Sequence, residues 1–193
     1  EIIQFIRDNS NFLPHFHIPL QSGNDTILRL MKRKYDSKMY KNKIEMIKEN
    51  MPEACIGADV IVGFPNESDD DFNSTYKFIK NLGINYLHVF SYSNRNGTIA
   101  SEMNNQISQK TKITRSRTLQ KLSNKIRFNF YKSNINKTRK VLFESKFDDN
   151  YIVGFTDNYI RVFVKGNKNM INKIFNVKLV FIGEQDRVFG EII

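Results

Sequence analysis

The architecture of this chain can be worked out from Asp59-Val60-Ile61-Val62-Gly63-Phe64-Pro65-Asn66-Glu67. An apolar, β-branched run leads into a glycine and a proline, and acidic residues follow at Glu67 and at positions 69–71. This pattern is typical of a buried parallel strand that ends in a tight turn and is followed by a helix. In α/β proteins, ligands lie at the carboxyl ends of such strands. We therefore expect a ligand to lie against Gly63.

Similar strand ends occur on both sides of this stretch. Pro14–Leu20 is predicted to be a strand that runs into the turn Gln21-Ser22-Gly23, and Tyr86–Tyr92 is predicted to be a third strand. Because helical patterns separate the strands, we expect parallel pairing with right-handed crossovers, which brings all three turns to one rim. The amide, hydroxyl and glycine of the first turn suit a small polar ligand. Together the three turns predict a small-molecule site.

Two helical features matter for function. The acidic run Glu67–Asp71 is expected to complement a helix N-terminus rather than to bind a metal ion. A long helix is predicted over 110–134, with an apolar side and a basic remainder. Its apolar side is predicted to contain Ile113, Leu119, Leu122, Ile126 and Phe130. The remainder is predicted to contain Lys112, Arg115, Lys121, Lys125 and Arg127.

From Thr138 onward the apolar pattern changes to period two. Five strands are predicted: Arg139–Ser145, Tyr151–Thr156, Tyr159–Lys165, Asn176–Ile182 and Arg187–Ile193. One intervening turn is predicted at Asp148-Asp149-Asn150. Closure into a small barrel is expected because it removes exposed strand edges. The alternating aromatic residues Phe155, Tyr159 and Phe163 are suited equally to stacking on bases and to filling a barrel core.

The net charge of +10 is concentrated in the second half of the chain. Residues 1–102 carry 12 Lys and Arg against 13 Asp and Glu, whereas residues 103–193 carry 18 against 7. Between Met103 and Phe143 there are eleven basic residues and no acidic residue. Surface helices usually mix charges, so this bias predicts contact with a polyanion such as nucleic acid. The alternative is a solvated, lysine-rich face.

Composition limits the class of protein. In 193 residues, a hydrophobic fraction of 40% with 16 Phe is enough for a core, which excludes wholesale disorder. No apolar run has the length of a membrane span and no signal peptide opens the chain, so no membrane partner is expected. A single cysteine, Cys55, excludes a disulfide framework and favours a reducing cytoplasm. The chain opens at Glu1 inside an amphipathic pattern, which predicts a fragment of a longer protein.

The sequence allows two interpretations for each of three groups of side chains. Asp59 could bind a ligand or pair with a basic neighbour inside the sheet. His15 and His17 have the H-x-H spacing of a metal pair, but structural packing is preferred because no further histidine or cysteine lies near them in sequence. Cys55 is predicted to be a small buried residue rather than a ligand. No metal ligand is therefore predicted.

Three stretches resemble the radical S-adenosylmethionine methylthiotransferases. They are His17–Tyr35, which contains HIPLQSGND and ILRLMKRKY, Asp59–Glu67 with Asp71-Phe72, and His88–Ala100, which contains HVFSYS and RNGTIA. They are similar to the fourth, fifth and sixth strands of that family's barrel. The family usually has glycine where Asn66 stands and more often has proline where Ile99 stands.

The remainder of the chain resembles the same family. Its tail is similar to the small RNA-binding barrel, the TRAM domain, of these enzymes. His88-Val89-Phe90 and Gly154–Ile160 resemble most the members that modify threonylcarbamoyladenosine beside the tRNA anticodon. The family's C-x-x-x-C-x-x-C motif, whose thiolates hold a [4Fe–4S] cluster, is absent from the chain.

The resemblance implies an α/β fold with two domains. Residues 1–102 would form the second half of a parallel βα radical S-adenosylmethionine barrel, 103–136 a basic linker helix, and 137–193 an all-β five-stranded barrel of the OB-like TRAM type. A half barrel leaves an open sheet edge, through which copies of the chain could pair.

The resemblance also implies cofactors and sites. The cofactors are S-adenosylmethionine and, in the full-length enzyme, two [4Fe–4S] clusters whose ligands lie outside this chain. The implied cofactor-binding residues are Gln21, Ser22, Gly23, Asp59, Ile61, Gly63, Phe90 and Ser91. The basic residues predicted to bind RNA are Arg115, Lys121, Lys125, Arg139, Lys140 and Arg161. No catalytic residue is predicted in this chain.

The function implied is the addition of a methylthio group to N6-threonylcarbamoyladenosine in tRNA by radical chemistry. The chain alone is expected to be inactive because it lacks the cluster cysteines. Two alternatives stay open: an enzyme that methylthiolates an aspartate of a ribosomal protein, and a non-catalytic RNA-binding module. The charge of residues 103–193 favours tRNA over a protein substrate.

Overall fold

The computed structural model describes residues 1–9, 11–147 and 150–193, with the side chain of Lys146 left out. The turn predicted at Asp148-Asp149 lies outside the described residues. The helices are α1 (Ile2–Asp8), α2 (Asp25–Leu30), α3 (Ser37–Asn50), α4 (Asp69–Asn81), α5 (Ile99–Glu102) and α6 (Gln109–Asn134). The strands are β1 (His15–His17), β2 (Cys55–Val62), β3 (Tyr86–Ser91), β4 (Thr138–Lys146), β5 (Tyr151–Thr156), β6 (Arg161–Lys165), β7 (Ile174–Ile182) and β8 (Val188–Ile192).

The chain divides into two compact units. The sheet unit contains Phe16–Pro52 and Ile56–Ile126. The barrel unit contains Glu1–His15, Glu53–Cys55 and Arg127–Ile193. None of the helices in the described part of the chain combines the length and apolar character needed to cross a membrane. The domain boundaries predicted from the sequence stay a prediction.

The first three strands form a sheet in the order β1-β2-β3. Strands β2 and β3 are parallel, and Asp59 is the register partner of His88. On β2 the side chains of Ala58, Val60 and Val62 are fully buried, whereas Asp59 and Ile61 point to the opposite, partly open face. The sequence therefore predicted the parallel sheet correctly.

Strand β1 is shorter than predicted. It ends at His17, although Ile18 still donates a backbone hydrogen bond to Gly57 (2.9 Å) and Leu20 donates one to Asp59 (3.1 Å). The carbonyl of Ile18 accepts instead from the Tyr40 hydroxyl at 2.6 Å, a side-chain partner in place of a neighbouring strand. A single parallel bridge at Gln21 resumes the pairing with β2.

Side chains cap the N-termini of α4 and α3. Ser68 and Asp71 form a capping box at the start of α4, with Ser68 Oγ accepting from Asp71 N–H at 3.1 Å. Asp36 caps α3 by accepting from Met39 N–H at 2.7 Å. Asp69, Asp70 and Asp71 thus lie in the first turn of α4, as predicted, whereas Glu67 precedes the N-cap.

The last five strands close into a barrel in the order β4-β5-β6-β8-β7. Only the β6–β8 pair is parallel, and β7 pairs with β4 to complete the ring. Its core is aliphatic and aromatic, with Phe143, Ile152, Val162 and Leu179 fully buried. This confirms the predicted small closed barrel.

One barrel strand begins later than predicted. Tyr159 was expected to open the third strand, but it has a φ of +65° and donates its N–H to Thr156 at 3.0 Å. It therefore belongs to the turn, and β6 begins at Arg161.

Candidate functional site

Backbone hydrogen bonds of the sheet unit bring the three predicted turns to one edge. Ile61 N–H donates to Gln21 O at 2.9 Å, which places the first turn beside the end of β2. Tyr92 N–H donates to Val62 O at 2.9 Å, which places the third turn on its other side. The expected rim therefore exists.

Gln21 is the residue of the first turn best suited to meet a ligand. Its φ of +67° is unusual for a residue with a side chain. Its N–H donates to Asp59 O at 2.8 Å and its carbonyl accepts from Ile61, so the backbone is fully engaged. Within the described part of the chain, its half-buried side-chain amide has no partner and stays available.

Ser22 and Gly23 have structural neighbours instead. Ser22 is fully buried, and its hydroxyl lies 3.1 Å from the Thr75 hydroxyl and accepts from Asn24 N–H at 3.2 Å. A Cβ on Gly23 would lie 2.8 Å from the Phe78 ring. These contacts fix the turn against α4 and argue for a structural role rather than for the predicted contact with a cofactor.

The second turn is built on a buried carboxylate. Gly63 has a φ of +70° and donates its N–H to Glu67 Oε2 at 2.7 Å, so this N–H is not free for a ligand. Glu67 is 2% exposed and pairs with Arg115 at 2.6 Å. Burial raises the pKa of Glu67 above its usual value, although Gly63 N–H and Arg115 act in the opposite direction.

Asn66 adopts a φ of +66°, the conformation that the family's usual glycine would provide, and asparagine tolerates it.

The other predicted cofactor residues lie on the open face or at its edge. Asp59 and Ile61 point to this face from β2, and Phe90, opposite Ile61, is 51% exposed. Ser91, the last residue of β3, is also exposed.

Asp59 is engaged by two histidines on that face. Its Oδ1 lies 2.8 Å from His17 Nε2 and 3.4 Å from His88 Nδ1. The prediction that Asp59 pairs with a basic neighbour is therefore supported, but the neighbours are imidazoles. Sequence spacing could not identify this group because each residue comes from a different strand.

The long helix buries Leu119, Leu122 and Phe130 as predicted, but its first turns differ from the prediction. Lys112 and Arg115 are 7% and 5% exposed, whereas Ile113 is 41% exposed. Lys112 Nζ donates to Tyr92 O at 3.0 Å, and Arg115 also pairs with Asp69 at 2.7 Å. Buried oxygen atoms of the neighbouring turns therefore select cations at these two positions. Arg115 is not placed to meet a phosphate.

The barrel unit also buries one of the residues predicted to bind RNA. Arg139 is 8% exposed; it pairs with Glu53 and lies 3.4 Å from Asp157. Lys137 contacts the same Glu53 at 2.6 Å, and this hydrogen bond, together with both cations, lowers the pKa of Glu53. Arg139 is therefore not placed to contact a phosphate. Four predicted residues are exposed: Lys121, Lys125, Lys140 and Arg161.

Arg161 borders a cavity of about 280 Å³ in the barrel unit. The lining residues are Arg127, Tyr131, Phe147, Arg161, Phe163, Gln185, Asp186 and Arg187. The Arg187 guanidinium lies 4.9 Å from the Phe147 ring centre, and that of Arg161 lies 5.3 Å from the Phe163 ring centre. Cations beside aromatic rings suit phosphates and bases of single-stranded RNA. Arg127, which was predicted on the basic side of the long helix, and Arg187 were not among the residues predicted to bind RNA, because their common surroundings depend on barrel closure.

The comparisons with known proteins agree with this architecture. Residues 1–79 match the Radical SAM superfamily. The threonylcarbamoyladenosine tRNA methylthiotransferase MtaB of Bacillus subtilis (strain 168) is 36% identical over 95% of this chain and 42% of its own length. The enzyme of the same name from Aquifex aeolicus (strain VF5) is 39% identical over 88% of this chain and 40% of its own length.

A second group of relatives has another tRNA substrate in its name. The tRNA-2-methylthio-N(6)-dimethylallyladenosine synthase of Bacillus subtilis (strain 168) is 37% identical over 92% of this chain and 35% of its own length. A solved structure, coproporphyrinogen III oxidase from Escherichia coli, described as a radical SAM enzyme, has a TM-score of 0.53 at 18% identity. The match covers 65% of this chain and 29% of the length of the oxidase chain, and it supports the fold alone. By these matches about nine tenths of the chain is similar to the radical S-adenosylmethionine methylthiotransferases, and the chain spans about two fifths of the length of these curated relatives.

Proposed function

We propose that this chain is part of an enzyme that adds a methylthio group to N6-threonylcarbamoyladenosine in tRNA. The observation that carries the proposal is the likeness to the threonylcarbamoyladenosine tRNA methylthiotransferases over about nine tenths of the chain. The relatives that act on dimethylallyladenosine are equally similar in identity, so the choice of base depends on the short stretches around His88 and Gly154. The single cysteine of the chain suits a reducing compartment, so we propose that the enzyme acts in the cytoplasm.

The residues on the rim fit part of an S-adenosylmethionine site. When bound, this cofactor would supply the radical chemistry. The Gln21 amide, which has no hydrogen-bond partner among the described residues, could bind its polar groups. Ile61 and Phe90 could form an apolar wall. The hydroxyl of Tyr92 is buried without a hydrogen-bond partner among the described residues, which is compatible with a polar ligand or a water beside it.

The residues of this chain do not fit an iron–sulfur cluster. Such clusters are held by several thiolates, and the sequence has one cysteine, Cys55, which is buried in β2. We therefore expect this chain alone to be inactive.

The activity is tested by analysing tRNA nucleosides from a strain that lacks the gene. Mass spectrometry should show threonylcarbamoyladenosine without its methylthio group, and the intact gene should restore the product. If dimethylallyladenosine loses the group instead, the chosen base is wrong. If all tRNA nucleosides are unchanged, a protein substrate becomes the better interpretation.

The barrel unit is proposed to contribute tRNA affinity through the cavity lined by Arg127, Arg161 and Arg187. Each phosphate contact that is lost should lower the slope of log affinity against log salt by about 1. We expect Arg161→Ala and Arg187→Ala to weaken binding of unmodified tRNA in fluorescence anisotropy and to reduce this slope. Lys38→Ala removes an exposed cation of the sheet unit and is the matched control. Salt-independent binding, or equal effects of all three variants, would contradict the proposal.

A further inference from the structure

We propose that His17, Asp59 and His88 bind a divalent transition-metal ion of the zinc type on the open face of the sheet. The site would hold one ion with two imidazoles and one carboxylate, leaving further positions for water or another ligand. The inference does not rest on the proposed function. It would remove Asp59 from the predicted cofactor wall.

The distances between the ligand atoms carry the proposal. Asp59 Oδ1 lies 2.8 Å from His17 Nε2 and 3.4 Å from His88 Nδ1, and the three ligand atoms all lie within 4.8 Å of one another. Zinc bonds to nitrogen and oxygen of about 2.1 Å place neighbouring ligand atoms roughly 3 to 3.4 Å apart. Within residues 1–9, 11–147 and 150–193, no other group of three such side chains has this closeness.

The strand register explains why these side chains meet. Asp59 and His88 are direct partners on the parallel strands β2 and β3, so their side chains leave the same face of the sheet. His17 reaches the same carboxylate from β1, and its ring centre lies 5.1 Å from that of His88. Three adjacent strands thus supply one ligand each, and rigid strands hold such ligands well.

A neighbouring tyrosine lies where an outer partner of the site would be placed. Histidine ligands usually direct their second ring nitrogen to a hydrogen-bonding group. His17 Nδ1 lies 3.5 Å from the Tyr86 hydroxyl, on the side of the ring away from Asp59. A Cβ on Gly57 would lie 2.1 Å from Tyr86 Cζ, so glycine at this position is what lets the tyrosine ring lie across β2.

The side chains define the class of ion. Two imidazoles with one carboxylate suit zinc, cobalt, nickel or ferrous iron, whereas magnesium and calcium prefer oxygen ligands alone. The side chains of His17, Asp59 and His88 are 33%, 24% and 56% exposed. An ion can therefore enter, and the exposed His88 side chain can turn to complete the site.

The test is a titration of the metal-stripped chain, without an affinity tag, with Co²⁺. We expect visible d–d absorption that saturates at one ion per chain and is displaced by Zn²⁺. His17→Ala, Asp59→Asn and His88→Ala should each weaken Co²⁺ binding by at least about tenfold, the lower bound known for loss of even an outer partner. The chain has three histidines, so His15→Ala is a matched control and should bind as the parent does.

Folding is monitored separately by circular dichroism. If His88→Ala does not fold, His88→Gln keeps a polar side chain of similar length and should show the same loss of Co²⁺ binding. A Zn²⁺-dependent rise in unfolding temperature should be present in the parent and in His15→Ala and absent from the three ligand variants.

Three outcomes would overturn the inference. The first is no Co²⁺ binding by the folded parent. The second is Co²⁺ binding that is unchanged in the His17→Ala variant and also in the His88→Ala variant. The third is binding that is lost in Cys55→Ser while the histidine variants retain it, which would assign the ion to the thiol. None of these outcomes bears on tRNA modification, which is tested by the nucleoside analysis.

Discussion

At the scale of single residues, unusual backbone angles show where the sheet unit is constrained. Gln21, Gly63 and Asn66 all have positive φ values and lie in the turns at the rim. The sequence indicated the glycine but not the other two, because glutamine seldom adopts this conformation and asparagine, which tolerates it, adopts it at a minority of positions. At Asn66 the surroundings are hydrogen bonds with Asn105, at 3.1 Å from the backbone N–H and 2.8 Å between the side chains.

We predict that Gly63→Ala destabilises the sheet unit more than Gly83→Ala does. Both glycines have positive φ, which costs other residues roughly 1–2 kcal/mol. A Cβ on Gly63 would also lie 2.4 Å from Lys112 Cγ, whereas a Cβ on Gly83 would meet nothing within 4 Å. Urea unfolding of both variants measures the difference. Equal losses of stability would show that the Lys112 side chain moves aside at no cost.

At the scale of elements, α6 shows how polar neighbours change the face that a helix buries. Apolar spacing predicted burial of Ile113, but the buried stripe contains Lys112, Arg115, Leu119 and Leu122. The two cations satisfy the Tyr92 carbonyl and the Glu67 carboxylate, which come from turns distant in sequence. Periodicity identified the helix and the C-terminal part of its buried stripe. It failed nearer the N-terminus of the helix, where specific pairing outweighs apolar burial.

We predict that Arg115→Ala lowers the free energy of unfolding by about 3 kcal/mol or more. Removing one partner of a buried pair leaves the other charge buried and unpaired. Arg117 lies on an exposed position of the same helix, and Arg117→Ala should change stability by less than about 0.5 kcal/mol. Chemical unfolding checks both values. A stable Arg115→Ala variant with weakened tRNA binding would instead restore the RNA-binding role predicted from the sequence.

At the scale of the whole molecule, the change from helical spacing to period two identified both parts of the fold. The parallel sheet and the closed barrel were predicted from these patterns, and the family resemblance supported them. The sequence could not predict which charged residues are exposed, because burial of Arg139 and Arg115 depends on acidic partners from other segments. It likewise could not predict the group of His17, Asp59 and His88, which depends on strand register.

We predict that the chain takes up no stoichiometric [4Fe–4S] cluster when it is incubated with iron and sulfide. One buried cysteine does not replace the several thiolates that such clusters need. The measurement is acid-labile sulfide per chain after desalting, with visible absorption recorded in parallel. Iron bound without sulfide agrees with the metal site on the sheet, whereas about four sulfides per chain would show that Cys55 and the histidines had been misinterpreted.

The order of the barrel strands has a consequence for biosynthesis. Strand β8 follows the other four in the sequence, yet it lies between β6 and β7 and is hydrogen-bonded to both. During synthesis, therefore, β4 to β7 leave the ribosome with two unpaired edges facing one another across a gap. These edges stay open to wrong partners until Val188–Ile192 has been made, so the barrel can finish folding only after its last strand has emerged.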